Sequence, residues 1–376
     1  MRQGAGRGEA VHGPPAPLAS HLSLLTSHFS LLTSTFLPYS MAAPRILIVR
    51  FSSLGDVLLT TPLIRALRAR HPAATLSALT KQLWAPLLSA NPHLDEVVAV
   101  APGQSLVPLA RALRAARFSH LLDLHGSVRT RVLRLLVPGS WTGFDARRRA
   151  RQTLIRTHED TYRDQVPVAE RYFEAARDLD VAPDGRPAEL FTSPAAEARA
   201  EAWLARVGLD NDQPLVVFAP GSEHASKRWP VRHWRRLAAD LTRRGFHIAL
   251  IGGAADGVVA AEIATSAGRR AASAAGELDL QASGALLRRA TVAVSGDTGP
   301  MHLAAAVNTS VVALFGPTVE RFGFFPYHAA AVVLQLDLPC RPCSSKGGPR
   351  CPLNHHRCLE EIMPEEVLRR IMEFAS

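Results

Sequence analysis

The residues best suited to chemistry lie between Thr291 and Thr318, TVAVSGDTGPMHLAAAVNTSVVALFGPT. A β-branched run ends at Gly296 and Asp297, and small residues follow from Pro300 to Val307, which reads as strand, tight turn, helix. Pro300 fits the first helical turn, so Asp297, Thr298 and Gly299 stand at the helix N-terminus. Unpaired backbone N–H groups and the positive dipole end favour a phosphate there, and Gly299 lets an anion approach the backbone closely. A second strand at 310–314 ends in Gly316-Pro317-Thr318. This completes a parallel βαβ unit, whose ligands belong beyond the carboxyl ends of its strands. Asp297 and Thr298 could equally do no more than cap the helix.

Three other segments carry groups of the right type. In RFSSLGDVLLTTP, residues 50–62, Ser52, Ser53 and Gly55 make a flexible polar turn and Asp56 opens a helix. A carboxylate at that edge can take a proton from a substrate hydroxyl, and it is also where a capping Asp belongs. In APGSEHASKRWP, residues 219–230, Gly221 and Ser222 supply a loop able to donate hydrogen bonds to a phosphate, beside the point charge of Lys227. An ordinary surface loop with incidental basic residues is the other account of it. From Ala101 to Arg156 there are 11 Arg and no Lys against only Asp123 and Asp145, so this region contributes 11 − 2 = +9. Arginine suits bidentate contacts to phosphate or carboxylate, and an anionic membrane surface would be met in the same way; a solvated face is the bland alternative.

Positioning these loops requires strands that end beside them. From Arg45 the chain alternates strands (45–50, 75–79, 96–100, 119–122) with helices (54–70, 105–116, 128–136). A helix-rich stretch at 166–179 leads into the Pro/Gly/Asp-rich linker VAPDGRPAELFTSP. The rhythm then restarts, with strands at 215–219, 247–251, 291–295 and 310–314 and helices at 231–244 and 256–267. The expectation is α/β: two Rossmann-like, doubly wound domains, 41–185 and 186–376, facing across a cleft that holds the small-molecule site.

Composition narrows the partners. At 376 residues there is chain enough for two cores, and no apolar run is long enough to span a membrane. A net charge of +10 suggests acidic partners, yet aromatic residues are only 6% and no nucleic-acid-binding module is present, so nucleic acid is not expected. Residues 1–40 contain the near-repeat SHLSLLTSHFSLLTSTF, where Ser, Thr and His break the apolar core a signal peptide would need. A disordered extension, or a start assigned too early with Met41 the real beginning, is expected instead. Cys340, Cys343, Cys351 and Cys358 follow C-x2-C-x7-C-x6-C with His355 and His356 nearby. Buried thiols or an oxidisable pair fit that spacing better than a zinc site, and a reducing compartment is implied.

Taken in register, RFSSLGDVLLTTP, DLHGSVR, PGS…KRWP, GDTGPMHLAAA and LFGPT resemble the ADP-heptose:lipopolysaccharide heptosyltransferases of glycosyltransferase family 9, from about Arg45 to the C-terminus. The tail CPLNHHRCLEEIMPEEV is more similar to the branch that adds the second inner-core heptose. The resemblance implies a GT-B architecture with acceptor on the first domain and nucleotide-sugar on the second. It implies inverting transfer of L-glycero-D-manno-heptose from ADP-heptose to Kdo–lipid A or its heptosylated form, with no bound metal or other cofactor required. Asp56 is then the expected general base. Ser222, Lys227, Asp297, Thr298, Gly299 and His302 are expected on the donor, and Ser53, Gly55 and Arg129 on the anionic lipopolysaccharide acceptor. His302 could equally be a packed structural histidine, and Asp256, where the family commonly places a ribose-binding Glu, also suits a helix start. The protein is expected in the cytoplasm, in peripheral contact with the inner face of the cytoplasmic membrane. Another nucleotide-sugar, or a non-catalytic carbohydrate-binding role, are the alternatives; retention of Asp56 argues against the second.

Overall fold

The structure, a computed structural model, describes residues 43–210 and 213–376. The expected extension at 1–40 lies outside the described residues. Two all-parallel sheets are formed. The first contains β1 (Arg45–Val49), β2 (Thr75–Lys81), β3 (Glu96–Val100), β4 (His120–Asp123) and β5 (Ser140–Gly143) in the order β3-β2-β1-β4-β5. The second contains β6 (Leu215–Ala219), β7 (His247–Leu250), β8 (Ala271–Ser273), β9 (Val292–Gly296), β10 (Ser310–Phe315) and β11 (Ala331–Gln335) in the order β11-β10-β9-β6-β7-β8. Central strands such as RILIV and LVVFA are apolar apart from the exposed Arg45 that opens the first, because helices cover both faces and burial on both sides drives them to form. The strand order of each sheet reverses once, between β1 and β4 in the first and between β6 and β9 in the second. The crevice at such a reversal is where this architecture binds ligands.

The GT-B expectation of two Rossmann-like α/β units is met, with local differences. The helix expected over 54–70 is two helices, Leu54–Leu58 and Thr61–Arg70. Pro62 has no N–H to give the Leu58 carbonyl, and the Thr61 hydroxyl takes that carbonyl instead at 2.8 Å. The linker expected at 181–194 gives way at its end to a helix that was not expected: Ser193 caps Pro194–Val207, its hydroxyl accepting the Ala196 N–H at 3.2 Å. The rest of the linker is tied down. Buried Arg65 grips Asp184 at 2.7 and 2.8 Å and Glu189 at 2.7 Å, while the Leu190 N–H donates to Ala306 O at 2.8 Å. One apolar cluster joins the two sheets, running from Ile46, Leu54 and Val57 to Met301, Leu303 and Val311.

Candidate active site

Asp56 is placed by the turn that leaves β1. Ser53 is the N-cap of Leu54–Leu58, and Asp56, three residues on, reaches back to accept the Ser53 N–H at 2.9 Å and its hydroxyl at 2.7 Å. The other carboxylate oxygen is 2.5 Å from Arg50 Nη2. Burial pushes this carboxyl up, but the Arg50 guanidinium and the Ser53 donors outweigh it and hold the group below the usual carboxylate range. Asp56 is therefore an ionised, fixed acceptor, and its capping role is real as well. Arg50 itself donates to Leu124 O, at the end of β4, and lies 5.7 Å from the centre of the Tyr172 ring.

On the second sheet the loops after β6 and β9 meet. Lys227 Nζ donates to Asp297 Oδ2 at 2.6 Å and to Asp297 O at 2.7 Å, and the Thr318 hydroxyl donates to the same Oδ2 at 2.5 Å. The lysine is therefore fixed by Asp297. Thr298 is the N-cap of Gly299–Ala306, its hydroxyl 3.1 Å from Ser295 Oγ. Ser222 stands in the loop held by Arg228, whose guanidinium donates to Ser222 O at 2.7 and 2.9 Å. Asp256 accepts the Gly253 N–H at 2.9 Å and presses on the β6 loop, since a Cβ on Gly221 would lie 2.2 Å from its carboxylate.

Two glycines let the halves touch. A Cβ on Gly55 would lie 2.3 Å from the ring of His302, and one on Gly299 would lie 3.0 Å from Leu54 Cβ. The N-termini of Leu54–Leu58 and Gly299–Ala306 thus face one another directly, bringing Asp56 beside the Asp297-Thr298-Gly299 turn. His302 is buried between them, and its Nδ1 has no partner among the described residues. Burial lowers its pKa although Asp297 and Asp56 pull the other way, so the ring is neutral at pH 7 and is no counter-ion for phosphate.

Beside Asp56 is a small cavity of about 140 Å³, bordered also by Arg50, His125, Arg151, Arg171 and Tyr172. It adjoins a cavity of about 990 Å³ bordered by Arg147, Arg148, Arg149 and Arg163; His125, Phe144, Ala146 and Arg148 belong to both. Of the residues expected on the acceptor, Ser53 spends its hydroxyl on Asp56 and Gly55 packs under His302. Arg129 stacks 5.5 Å from the Phe51 ring centre and borders neither cavity. The groups that do border the path to Asp56 include three without an assigned part in the sequence reading: Arg50, His125 and Tyr172. His125 is neutral, its pKa lowered to about 4 by burial and by Arg50. The Tyr172 hydroxyl is buried without a partner among the described residues. The four cysteines are free thiols, with Cys340 Sγ 3.9 Å from His355 Nε2, and no three ligating side chains converge on a metal position among the described residues.

Two Rossmann-order sheets, an ionised carboxylate on one and a lysine beside a phosphate-ready helix terminus on the other, define a nucleotide-sugar transferase of the GT-B kind. The model of glycosyltransferase family 9 (heptosyltransferase) matches residues 106–353, and the chain belongs to this family. It is 28% identical to lipopolysaccharide heptosyltransferase 2 of Salmonella typhimurium over 88% of this chain and 99% of that protein. Against lipooligosaccharide heptosyltransferase 2 of Haemophilus influenzae it is 26% identical, with the same coverage. The solved structure of E. coli ADP-heptose lps heptosyltransferase II superposes with a TM-score of 0.68 at 26% identity, covering 88% of this chain and 98% of that one. A family 9 glycosyl transferase from Veillonella parvula shares the fold, with a TM-score of 0.74 at 23% identity over 88% and 97%.

Proposed function

We propose that the protein transfers L-glycero-D-manno-heptose, with inversion, from ADP-heptose to the inner core of lipopolysaccharide. The observation that carries this is the meeting of Asp56 with the Lys227–Asp297 turn, at the inner end of arginine-bordered cavities. Relatives along nearly their whole length are heptosyltransferases named for lipopolysaccharide or lipooligosaccharide, which supports this donor and acceptor. In the displacement, an acceptor hydroxyl oxygen bonds to the anomeric carbon as the bond from that carbon to the diphosphate breaks. The hydroxyl proton passes to Asp56, and ADP leaves with the bonding pair. Asp56 is a weak base, but an alcohol becomes acidic only as the new bond forms, and a carboxylate that is always ionised is ready at that moment.

Lys227 has three protons and Asp297 takes two of them, so the third is available for a diphosphate oxygen. Together with the N–H groups opening Gly299–Ala306, it would stabilise the departing charge without a divalent cation. Ser222 and Thr298 would complete the cradle, and Asp297 serves it by orienting Lys227. The arginines beyond His125 suit a phosphorylated, carboxylated sugar core, and such an acceptor, anchored in lipid, brings the enzyme to the inner face of the cytoplasmic membrane. No helix among the described residues is long and apolar enough to cross a membrane. The test is incubation of the purified chain with ADP-heptose and heptose-less lipopolysaccharide in the presence of EDTA. Heptose incorporation with release of ADP is expected. No transfer from ADP-heptose, with transfer from another nucleotide-sugar, would replace the donor assignment; dependence on added Mg²⁺ would remove the metal-free mechanism.

A further inference from the structure

The helices Leu106–Ala115 and Val128–Leu136 lie side by side on one face of the first sheet, which they cover with Leu109, Ala110, Leu113 and Leu133. Their opposite faces are unusual for a solvated surface. Val107, Val128 and Leu135 are 57, 74 and 85% exposed. The same exposed stripes carry Arg111 and Arg114, at i+4 and i+7 from Val107, and Arg131, at i+3 from Val128. From Val97 to Phe144 the one carboxylate is Asp123, which is buried and accepts the N–H groups of His125 and Gly126. Other exposed arginines sit in ion pairs, as Arg199 does with Asp279, Arg232 with Glu360 and Arg369 with Glu366. Arg111, Arg114 and Arg131 have no carboxylate partner among the described residues.

We infer that this two-helix face docks on an anionic lipid bilayer. Exposed aliphatic side chains gain by entering the headgroup boundary, and unpaired arginines gain from its negative potential; a surface bearing both fits that medium better than it fits water. A second copy of the chain is a poorer occupant, because a self-complementary contact would set these arginines against their own counterparts. Nucleic acid would use the charges and leave the valine and leucine side chains without a gain. The face also adjoins the proposed acceptor path: Gly126 borders the larger cavity and Val128 opens the second helix two residues later. Docking here would place the cavity mouth at the lipid surface. This placement rests on the proposed lipid-anchored acceptor, whereas the docking itself does not.

The full chain should co-sediment with phosphatidylcholine vesicles carrying about 30% phosphatidylglycerol, far less with pure phosphatidylcholine, and less as salt rises. Combined Arg111→Gln, Arg114→Gln and Arg131→Gln should weaken partitioning roughly a hundredfold, at about a factor of five per charge near the surface. A separate Val107→Ser, Leu135→Ser variant should weaken it while leaving the salt dependence in place. Both variants should melt like the parent and keep transfer to a delipidated, water-soluble acceptor, while losing transfer to acceptor embedded in vesicles. A parent that ignores anionic vesicles overturns the assignment, as does a folded charge variant that binds as tightly as the parent. A concentration-dependent dimer broken by the same substitutions, without vesicle binding, would give the face to a second copy. Vesicle binding is read without donor, so a failure of heptose transfer to any acceptor would count against the proposed activity and leave the docking result standing.

Discussion

Replacing Asp56 by Asn changes one atom and separates the two parts the carboxylate plays. In the parent, Arg50 bonds to one oxygen while the Ser53 N–H and hydroxyl bond to the other. An amide has a single oxygen, so its NH₂ must face either Arg50 or the two Ser53 donors, and Arg50 loses its counter-charge in both cases. Removing a charge-assisted bond of this kind should cost about 1.5–3 kcal/mol of stability. A free helix cap would tolerate Asn, so the predicted loss comes from the arginine pair. Turnover should fall further, roughly 10²–10⁴-fold, which is the usual worth of a general base and corresponds to about 2.7–5.5 kcal/mol in the barrier. ADP-sugar affinity should hardly change, because Lys227 and the Gly299–Ala306 terminus belong to the other sheet. Single-turnover rates at saturating ADP-heptose, calorimetric donor affinity and a melting curve would be measured on the same preparation. If Asp56 only organises the turn, melting drops and the rate per folded molecule stays within a few-fold of the parent. A near-parental rate at a temperature where the variant is folded would refute the general-base role.

Lys227→Ala should weaken ADP-sugar binding by about 1.5–3 kcal/mol through the lost charge-assisted contact, and an unchanged calorimetric affinity would remove the lysine from the donor site. Because that change also strands the Asp297 carboxylate beside the diphosphate, adding Asp297→Asn should restore part of the affinity; a further loss would mean Asp297 binds donor itself. Gly55→Ala would ordinarily favour a helix by about 1 kcal/mol, but the new methyl meets the His302 ring, so a net destabilisation of about 1–3 kcal/mol is expected, and a raised melting temperature would disprove the tight contact. The pairing that depresses the Asp56 pKa contributes stability in full above the unfolded value of about 3.9 and loses it as pH falls through the lower folded value, so turnover should stay level from neutrality to about pH 5. An acid limb centred nearer pH 6 in folded protein would show that Asp56 is not held as described.

Much of the placement of these residues was legible because it is local to strand ends. Val49, Ala219 and Gly296 close buried runs, and Asp56, Lys227 and Asp297 follow them within one turn or loop, so reading the strands was enough to bring these residues to the sheet edges. Elements with weak patterns escaped: the four-residue edge strand Ser140–Gly143 and the three-residue Ala271–Ser273 have too little alternation or apolar length to read. The TTP sequence did carry the break after Leu58, since a proline in a first turn marks a new helix, and the apolar spacing running through it concealed the signal. What could not be read was anything that depends on distant surfaces meeting. Arg50 looks like the last residue of a strand until the turn folds Asp56 back upon it, and Tyr172 is an ordinary apolar position until the sheet sets it under Arg50. Gly55 and Gly299 are the sharper case. Each matters through a side chain it lacks, against a partner on the opposite half, and no hydropathy or spacing pattern records a vacancy that only the assembled pair of helices makes necessary. The same two contacts that sequence could not supply are the ones that bring the legible residues, Asp56 and the Asp297-Thr298-Gly299 turn, beside one another.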